Sequence, residues 1–183
     1  MPDTNFQGFS DRLIALKDYP VESWNPEYCG ELPIRIGRDG RWYYQDSPIE
    51  RERLVELFSR ILKKEGDHYY LVTPSEKVGI TVEDAPFRAV HLEVEGQGDK
   101  RSLQFTTNVG DTITLDADHP LHVDINPATN EPAPYVEVRR GLEAKLCRAV
   151  FYELVELAEE IEHDGKPWLA IHSGGKEFLL GPI

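Results

Sequence analysis

The tetrapeptide Leu54-Val55-Glu56-Leu57 recurs as Leu154-Val155-Glu156-Leu157, and its surroundings recur with it. Each copy follows an alternating segment opened by proline, Pro33-Ile34-Arg35-Ile36 in one and Pro134-Tyr135-Val136-Glu137-Val138 in the other. Each then runs into an acidic-Gly turn (Glu65-Gly66-Asp67, Asp164-Gly165-Lys166) and an aromatic-led apolar strand, Tyr69-Tyr70-Leu71-Val72 or Trp168-Leu169-Ala170-Ile171. The pattern predicts a divergent duplication of one strand–helix–hairpin unit. Duplicated units tend to pack face to face, and the groove between them is where a ligand is expected.

A chain of 183 residues suits one domain or two small ones. A hydrophobic content of 40% with 29% charged residues is ordinary for a globular protein. The apolar runs are only a few residues long, far short of the ~20 that cross a bilayer. The opening Met1-Pro2-Asp3-Thr4-Asn5 carries neither the basic nor the apolar region of a secretory signal. Cys29 and Cys147 are a poor disulfide framework, so both are expected as thiols in a cytoplasmic protein. A net charge of −13 argues against duplex nucleic acid and anionic membranes as partners. It leaves room for a small anion, which needs only a local cluster of donors.

Local signals place the elements. Ser10 is the expected N-cap of a short helix ending before Tyr19-Pro20. Arg38-Asp39-Gly40-Arg41 between Ile36 and Trp42 predicts a hairpin, because the turn demands positive φ. Ser47-Pro48-Ile49-Glu50 reads as a capping box opening a helix, with Leu54, Leu57, Phe58, Ile61 and Leu62 on its apolar face. In the second copy Leu154, Leu157, Ala158 and Ile161 form the equivalent stripe. A further line of Cys147, Phe151 and Val155 predicts a helix covered on two sides, with Cys147 buried. Between the copies, Phe87 to Glu95, Ser102 to Thr107, Thr112 to Leu115 and Leu121 to Ile125 alternate as strands. The expectation is an α+β chain with an N-terminal domain over 1–84 and a C-terminal domain over 85–183. The C-terminal half should be a curved antiparallel sheet or partial barrel with one long helix.

Several ordered motifs carry a resemblance. They are Cys29-Gly30, Ile36-Gly37-Arg38-Asp39-Gly40-Arg41-Trp42, Ser47-Pro48-Ile49, Thr73-Pro74-Ser75-Glu76-Lys77, Glu83-Asp84-Ala85-Pro86-Phe87, Thr107-Asn108-Val109-Gly110-Asp111, His119-Pro120-Leu121 and Arg139-Arg140-Gly141-Leu142-Glu143-Ala144. Together they resemble, over nearly the whole chain, the bacterial family known as domain of unknown function 1285. The resemblance implies a duplicated core with a pleckstrin-homology-like C-terminal part. It also implies a nucleotide-like ligand between the halves and a role in signal transduction. Gln45 stands where the family commonly has glycine before Ser-Pro.

Arginines gather where this acidic chain enters its helices: Arg35, Arg38, Arg41, Arg51 and Arg53 at the first, Arg139, Arg140 and Arg148 at the second. Guanidinium forks and helix N-termini both suit phosphate or carboxylate oxygens. Nearby rings (Trp42, Tyr43, Tyr44, Phe87) are able to stack a base. The competing account is that these arginines only pair with surface carboxylates. Thr73-Pro74-Ser75-Glu76-Lys77 offers a hydroxyl, a carboxylate and an ammonium on one loop, and equally ordinary turn chemistry. Asp116, His119, His122 and Asp124 invite a metal reading, but a polar hairpin accounts for them better. No nucleophile elbow, cysteine-protease signature or phosphate-binding glycine loop is present, and Gly174-Gly175 belongs to a hairpin.

The leading expectation is a regulatory binding protein for a small anionic, nucleotide-like ligand. Its site is expected to use Arg35, Thr73, Glu76, Lys77, Phe87, Arg139 and Arg148, with no cofactor or metal. The alternatives are a hydrolase or transferase using Asp84, Glu76 or His119, and a protein–protein adaptor working through a sheet edge or helix groove.

Overall fold

The computed structural model describes residues 4–14 and 19–183. The chain divides into two compact units, Met1–Asp84 and Ala85–Ile183. The architecture is α+β, mostly sheet, with three α-helices among the described residues.

In the first unit α1 (Thr4–Ile14) begins earlier than predicted. Ser10 lies inside it, and its hydroxyl donates back to the Phe6 carbonyl at 2.9 Å instead of capping. Phe9 and Leu13 set the buried face, 2% and 0% exposed. The predicted end of this helix falls outside the described residues. β1 (Tyr28–Ile36) and β2 (Trp42–Tyr44) form the expected Asp-Gly hairpin, with Gly40 at φ 80°.

The next turn departs from expectation. Gln45 and Asp46 both take positive φ, 48° and 62°, which is the two-residue turn that reverses a strand tightly. Ser47-Pro48 is therefore a short strand, β3 (Ser47–Pro48), paired back on β2, and not a helix cap. Helix α2 (Glu52–Arg60) starts later, behind Arg51 and without a side-chain cap. Phe58, Ile61 and Leu62 bury the end of its apolar stripe completely. β4 (Leu62–Glu65), β5 (His68–Val72) and β6 (Lys77–Val82) follow as an antiparallel meander. β6 then pairs with β1 in parallel, giving the sheet order β3-β2-β1-β6-β5-β4.

The second unit repeats that topology. β7 (Phe87–Glu95), β8 (Ser102–Thr107) and β9 (Thr112–Thr114) form one meander. β10 (Leu121–Ile125), β11 (Pro132–Arg139) and β12 (Leu142–Leu146) form another. A parallel ladder between β12 and β7 joins them, in the order β10-β11-β12-β7-β8-β9. Read from its other end, this is the first sheet with every strand advanced by six. The duplication thus resides in the six-stranded sheet, and one ladder in it is parallel where the sequence suggested only antiparallel pairing.

The helices are not equivalent parts of that repeat. α2 sits between the third and fourth strands, whereas α3 (Arg148–Glu156) follows the sixth. The repeated tetrapeptide lies early in α2 and at the end of α3. In both copies, however, the helix that carries the tetrapeptide leads directly into an antiparallel hairpin, Leu62–Glu65 with His68–Val72 and Glu159–His163 with Lys166–Ser173, as the strand–helix–hairpin reading expects. α3 is also short where one long helix was expected, and Leu142–Leu146 just before it is strand β12. Arg140 and Gly141, at φ 50° and 76°, make the turn into β12. Cys147 becomes the N-cap position and is half-buried, not a core residue. Val150 and Leu154 are the buried residues of α3, while Phe151 and Val155 stay partly open, so the helix is not covered on two sides as predicted.

β13 (Glu159–His163), β14 (Lys166–Ser173) and β15 (Lys176–Pro182) close the chain as a separate antiparallel sheet. Two groups tie it to the larger sheet of the same unit. The buried Ser173 hydroxyl reaches the backbone of Leu103 and Leu115, and Arg101 donates to the carbonyls of His172 and Leu157.

A candidate anion site at the start of helix α3

The expected ligand residues fall into separate local settings. Arg35, on β1, donates to Glu83 at 2.9 Å, lies 3.6 Å from Asp46 and covers the Tyr43 ring at 4.2 Å. The Tyr43 hydroxyl donates to Asp39 at 2.6 Å, which holds the Asp39 carboxyl below its usual range and raises the phenol. Thr73 is 3% exposed, and its hydroxyl accepts the Glu76 N–H at 3.0 Å in a hydroxyl-stabilised turn. The Glu76 carboxylate takes a forked contact from Arg12, the shortest arm 2.8 Å. Lys77 donates to Glu65 at 2.6 Å and sits over Tyr70. Arg35 and Lys77 occupy opposite ends of the β1–β6 ladder, since Tyr28 is opposite Lys77 and Arg35 opposite Thr81.

In the second unit Arg139 and Phe87 do meet. The guanidinium stands 5.0 Å from the centre of the fully buried ring and donates to Asp111 at 2.7 Å. This arginine closes the edge of the core against a carboxylate.

Arg148 has a different setting. It is the first residue of α3 and lines a cavity of about 330 Å³ with Arg88, Lys145, Phe151, Tyr152 and Glu131. The cluster has a simple origin. Arg88 and Lys145 are register partners on the parallel strands β7 and β12, so their side chains leave the same face. The Cys147 N–H extends that ladder by donating to Ala89 at 3.0 Å, and the chain turns directly into the helix. Arg148 is thereby carried to the two strand cations. Leading N–H groups of a helix lack intrahelical acceptors, and no side chain caps α3. The described lining residues include three cations and one carboxylate, that of Glu131, in a chain of net charge −13. Tyr152, 59% exposed, adds an open aromatic face.

Arg88 and Lys145 were not among the expected residues. Arg88 neighbours Phe87 in sequence, but only the β7–β12 ladder brings Lys145 beside it. Periodicity does not encode that pairing.

The acid–base and metal candidates are also locally engaged. His119 Nδ1 lies 3.2 Å from Asp116, and His122 lies 3.3 Å from Glu143 and stacks on Tyr135. Among the described residues no group of three or more His, Cys, Asp or Glu side chains is placed to hold a metal ion. The Cys29 thiol is exposed and donates to the Glu27 carbonyl. No helix among the described residues is long and apolar enough to cross a membrane.

Comparison with known proteins agrees with the two-unit description. Residues 19–85 match the N-terminal domain of unknown function DUF1285, and residues 86–180 match the C-terminal domain of the same family. A crystal structure of a DUF1285 family protein from Silicibacter pomeroyi DSS-3 is 50% identical, covers 94% of this chain and 93% of its own, and superposes with a TM-score of 0.86. One from Shewanella baltica OS155 is 29% identical over 68% of this chain and 91% of its own, with a TM-score of 0.55. Among curated proteins there is no match.

Proposed function

The chain belongs to the DUF1285 family, and we propose that it serves as a regulatory binding protein for a small phosphate-bearing ligand, of the nucleotide type, held at the start of α3. The observation that carries this reading is the convergence of Arg88, Lys145 and Arg148 on one cavity of a strongly acidic chain. Arg88, Lys145 and Arg148 together bring cationic donors to one described lining that an anion can use. Two guanidiniums and an ammonium match three phosphate oxygens, and the N-terminal dipole of α3 adds to their field. Tyr152 and Phe151 supply faces for a base. The assigned role is regulatory and cytoplasmic. Ligand recognition is supported by the cation cluster, whereas no nucleophile with a neighbouring base accompanies it in the cavity lining.

The test is calorimetric titration with inorganic phosphate and a panel of nucleoside mono-, di- and triphosphates, on the wild type and on Arg148→Ala. Loss of one charge-assisted contact, ~1.5–3 kcal/mol, should weaken binding at least about tenfold, and added salt should weaken it further. Equal affinities for the two proteins, or no binding by any member of the panel, would remove this reading. Consumption of a bound nucleotide would move the assignment to the hydrolase or transferase class.

A further inference from the structure

The first unit holds a second, chemically different cavity of about 630 Å³ between α1 and the beginning of α2. Its walls include Phe6 and Ile14 of α1 and Leu54 and Leu57 of α2. The sequence marks Leu54, Leu57, Phe58 and Ile61 as one apolar stripe, yet the structure divides that stripe in two. Phe58 and Ile61 are fully buried, while Leu54 and Leu57 remain partly exposed because they face the cavity. α1 is held in place by Phe6, which also stacks on Tyr44 with centroids 4.2 Å apart, and by Phe9, buried near Phe58.

The polar groups that the described residues of the two helices and Tyr19 bring to the wall are engaged. The Ser10 hydroxyl donates to Phe6, the Tyr19 hydroxyl to Leu13, and the Gln7 amide to Asp11. An occupant therefore meets an apolar surface along its body. At the start of α2 the described lining changes to Arg51, Glu52 and Arg53, two cations and one carboxylate, a net +1 among the described residues. All three are exposed, as groups at a mouth are. The volume lies within the ~300–1,000 Å³ range of small-molecule pockets.

From this arrangement we infer a binding site for a single-tailed monoanionic amphiphile, a molecule with an apolar body and one carboxylate, sulfate or phosphomonoester head. The body lies along Phe6, Ile14, Leu54 and Leu57, and the head meets Arg51 and Arg53. A polyphosphate suits this mouth poorly, because Glu52 cancels half of its positive charge. The site is independent of the one at α3, since no residue lines both.

Anilinonaphthalene sulfonate, an apolar ring system with one negative charge, is the probe. The full-length protein should bind it saturably at one site, with enhanced fluorescence. Decanoate should displace it, and decanol, with the same chain and no charge, should do so at least about tenfold less well. Replacing both Arg51 and Arg53 with Ala should weaken decanoate about tenfold or more; these side chains are exposed, so the fold should survive. Leu57→Trp should fill the cavity and abolish probe binding with the melting transition retained. Arg148→Ala, and saturation with inorganic phosphate, should leave the probe bound, which separates this site from the one at α3. Absence of a saturable phase, equal displacement by decanoate and decanol, or unchanged decanoate affinity in the double variant would each overturn the inference.

Discussion

Ser173 and Leu103 are joined by a hydrogen bond that crosses between two sheets: the Leu103 N–H donates to the Ser173 hydroxyl at 2.9 Å, and that hydroxyl donates onward to the Leu115 carbonyl at 2.7 Å. All three residues are buried, Ser173 at 1% exposure. One side chain thus satisfies a donor and an acceptor of the larger sheet that water does not reach. Ser173→Ala should leave both unpaired and destabilise the protein by ~2–3 kcal/mol. Urea unfolding measures this, and a loss below about 0.5 kcal/mol would mean that water takes the place of the hydroxyl.

The two glycines after Ser173 should respond unequally to alanine. Both have positive φ, 56° at Gly174 and 74° at Gly175, where a side chain costs about 1 kcal/mol. A Cβ on Gly175 meets open space, but one on Gly174 would stand 2.9 Å from the Asp116 Cβ and 3.0 Å from the Leu115 carbonyl oxygen. Gly174→Ala should therefore lower the melting temperature clearly more than Gly175→Ala. Thermal denaturation of the pair decides it, and equal shifts would mean that the Leu115–Asp116 backbone gives way freely.

Glu65 should contribute to acid sensitivity. Its carboxyl is held below the ordinary range, first by the hydrogen bond from Lys77 and further by one from Lys63, with partial burial opposing them. A carboxyl whose folded pKa is depressed stabilises the fold fully above its unfolded pKa of about 4.3, and that contribution disappears as pH falls through the lower folded value. Glu65→Gln should flatten the decline of stability between about pH 5 and the acid limit. The carboxylate is partly exposed, 36%, so the effect at neutral pH should stay below ~1 kcal/mol. Parallel denaturation series at several pH values supply the slope, and identical slopes would assign the acid response to other carboxylates.

Both cysteines should label in the native protein, and in a fixed order. Cys29 is exposed on β1, whereas Cys147 is half-buried at the N-cap of α3. A thiol reagent should modify Cys29 first and Cys147 more slowly but without denaturant, as Cys29→Ser and Cys147→Ser variants will separate. If Cys147 reacts only in denaturant, the first turn of α3 is more tightly closed than its exposure indicates.

Locally encoded features were legible in the sequence. Arg38-Asp39-Gly40-Arg41 and Gly174-Gly175 carry their turn geometry in glycine, so both hairpins read directly. Gln45-Asp46 did not, because Gln45 stands where a glycine would announce positive φ and Asp46 alone is a weak signal, so Ser47-Pro48 read as a helix start. The strand Leu142–Leu146 is not marked in the sequence, because its alternation is short and a helix follows closely. The candidate anion site was half legible. Arg148 stood out as an arginine at a helix entrance, but its companions Arg88 and Lys145 meet only through a ladder between strands far apart in sequence. The same non-local pairing hides a second repeat, that of the six-stranded sheet. Six strands without shared tetrapeptides reproduce one topology, while the shared tetrapeptide marks the helix–hairpin repeat that the sequence predicts, α2 with β4 and β5 and α3 with β13 and β14.

The parallel ladders also dictate an order of assembly. Each six-stranded sheet consists of two meanders whose strands are near neighbours in the chain, and a single contact between the first strand and the last unites them. Meanders close small loops and form early, whereas the uniting ladder must wait for the longest loop closure in the sheet. β1 cannot acquire its inner neighbour until Val82 has been synthesised, and β7 waits likewise for Leu146. On the ribosome, the N-terminal sheet thus becomes able to complete itself just before the first strand of the second sheet emerges. The time during which the unpaired edge of β1 is open to a wrong partner is set by the emergence of β6, not by that of any residue in the second unit.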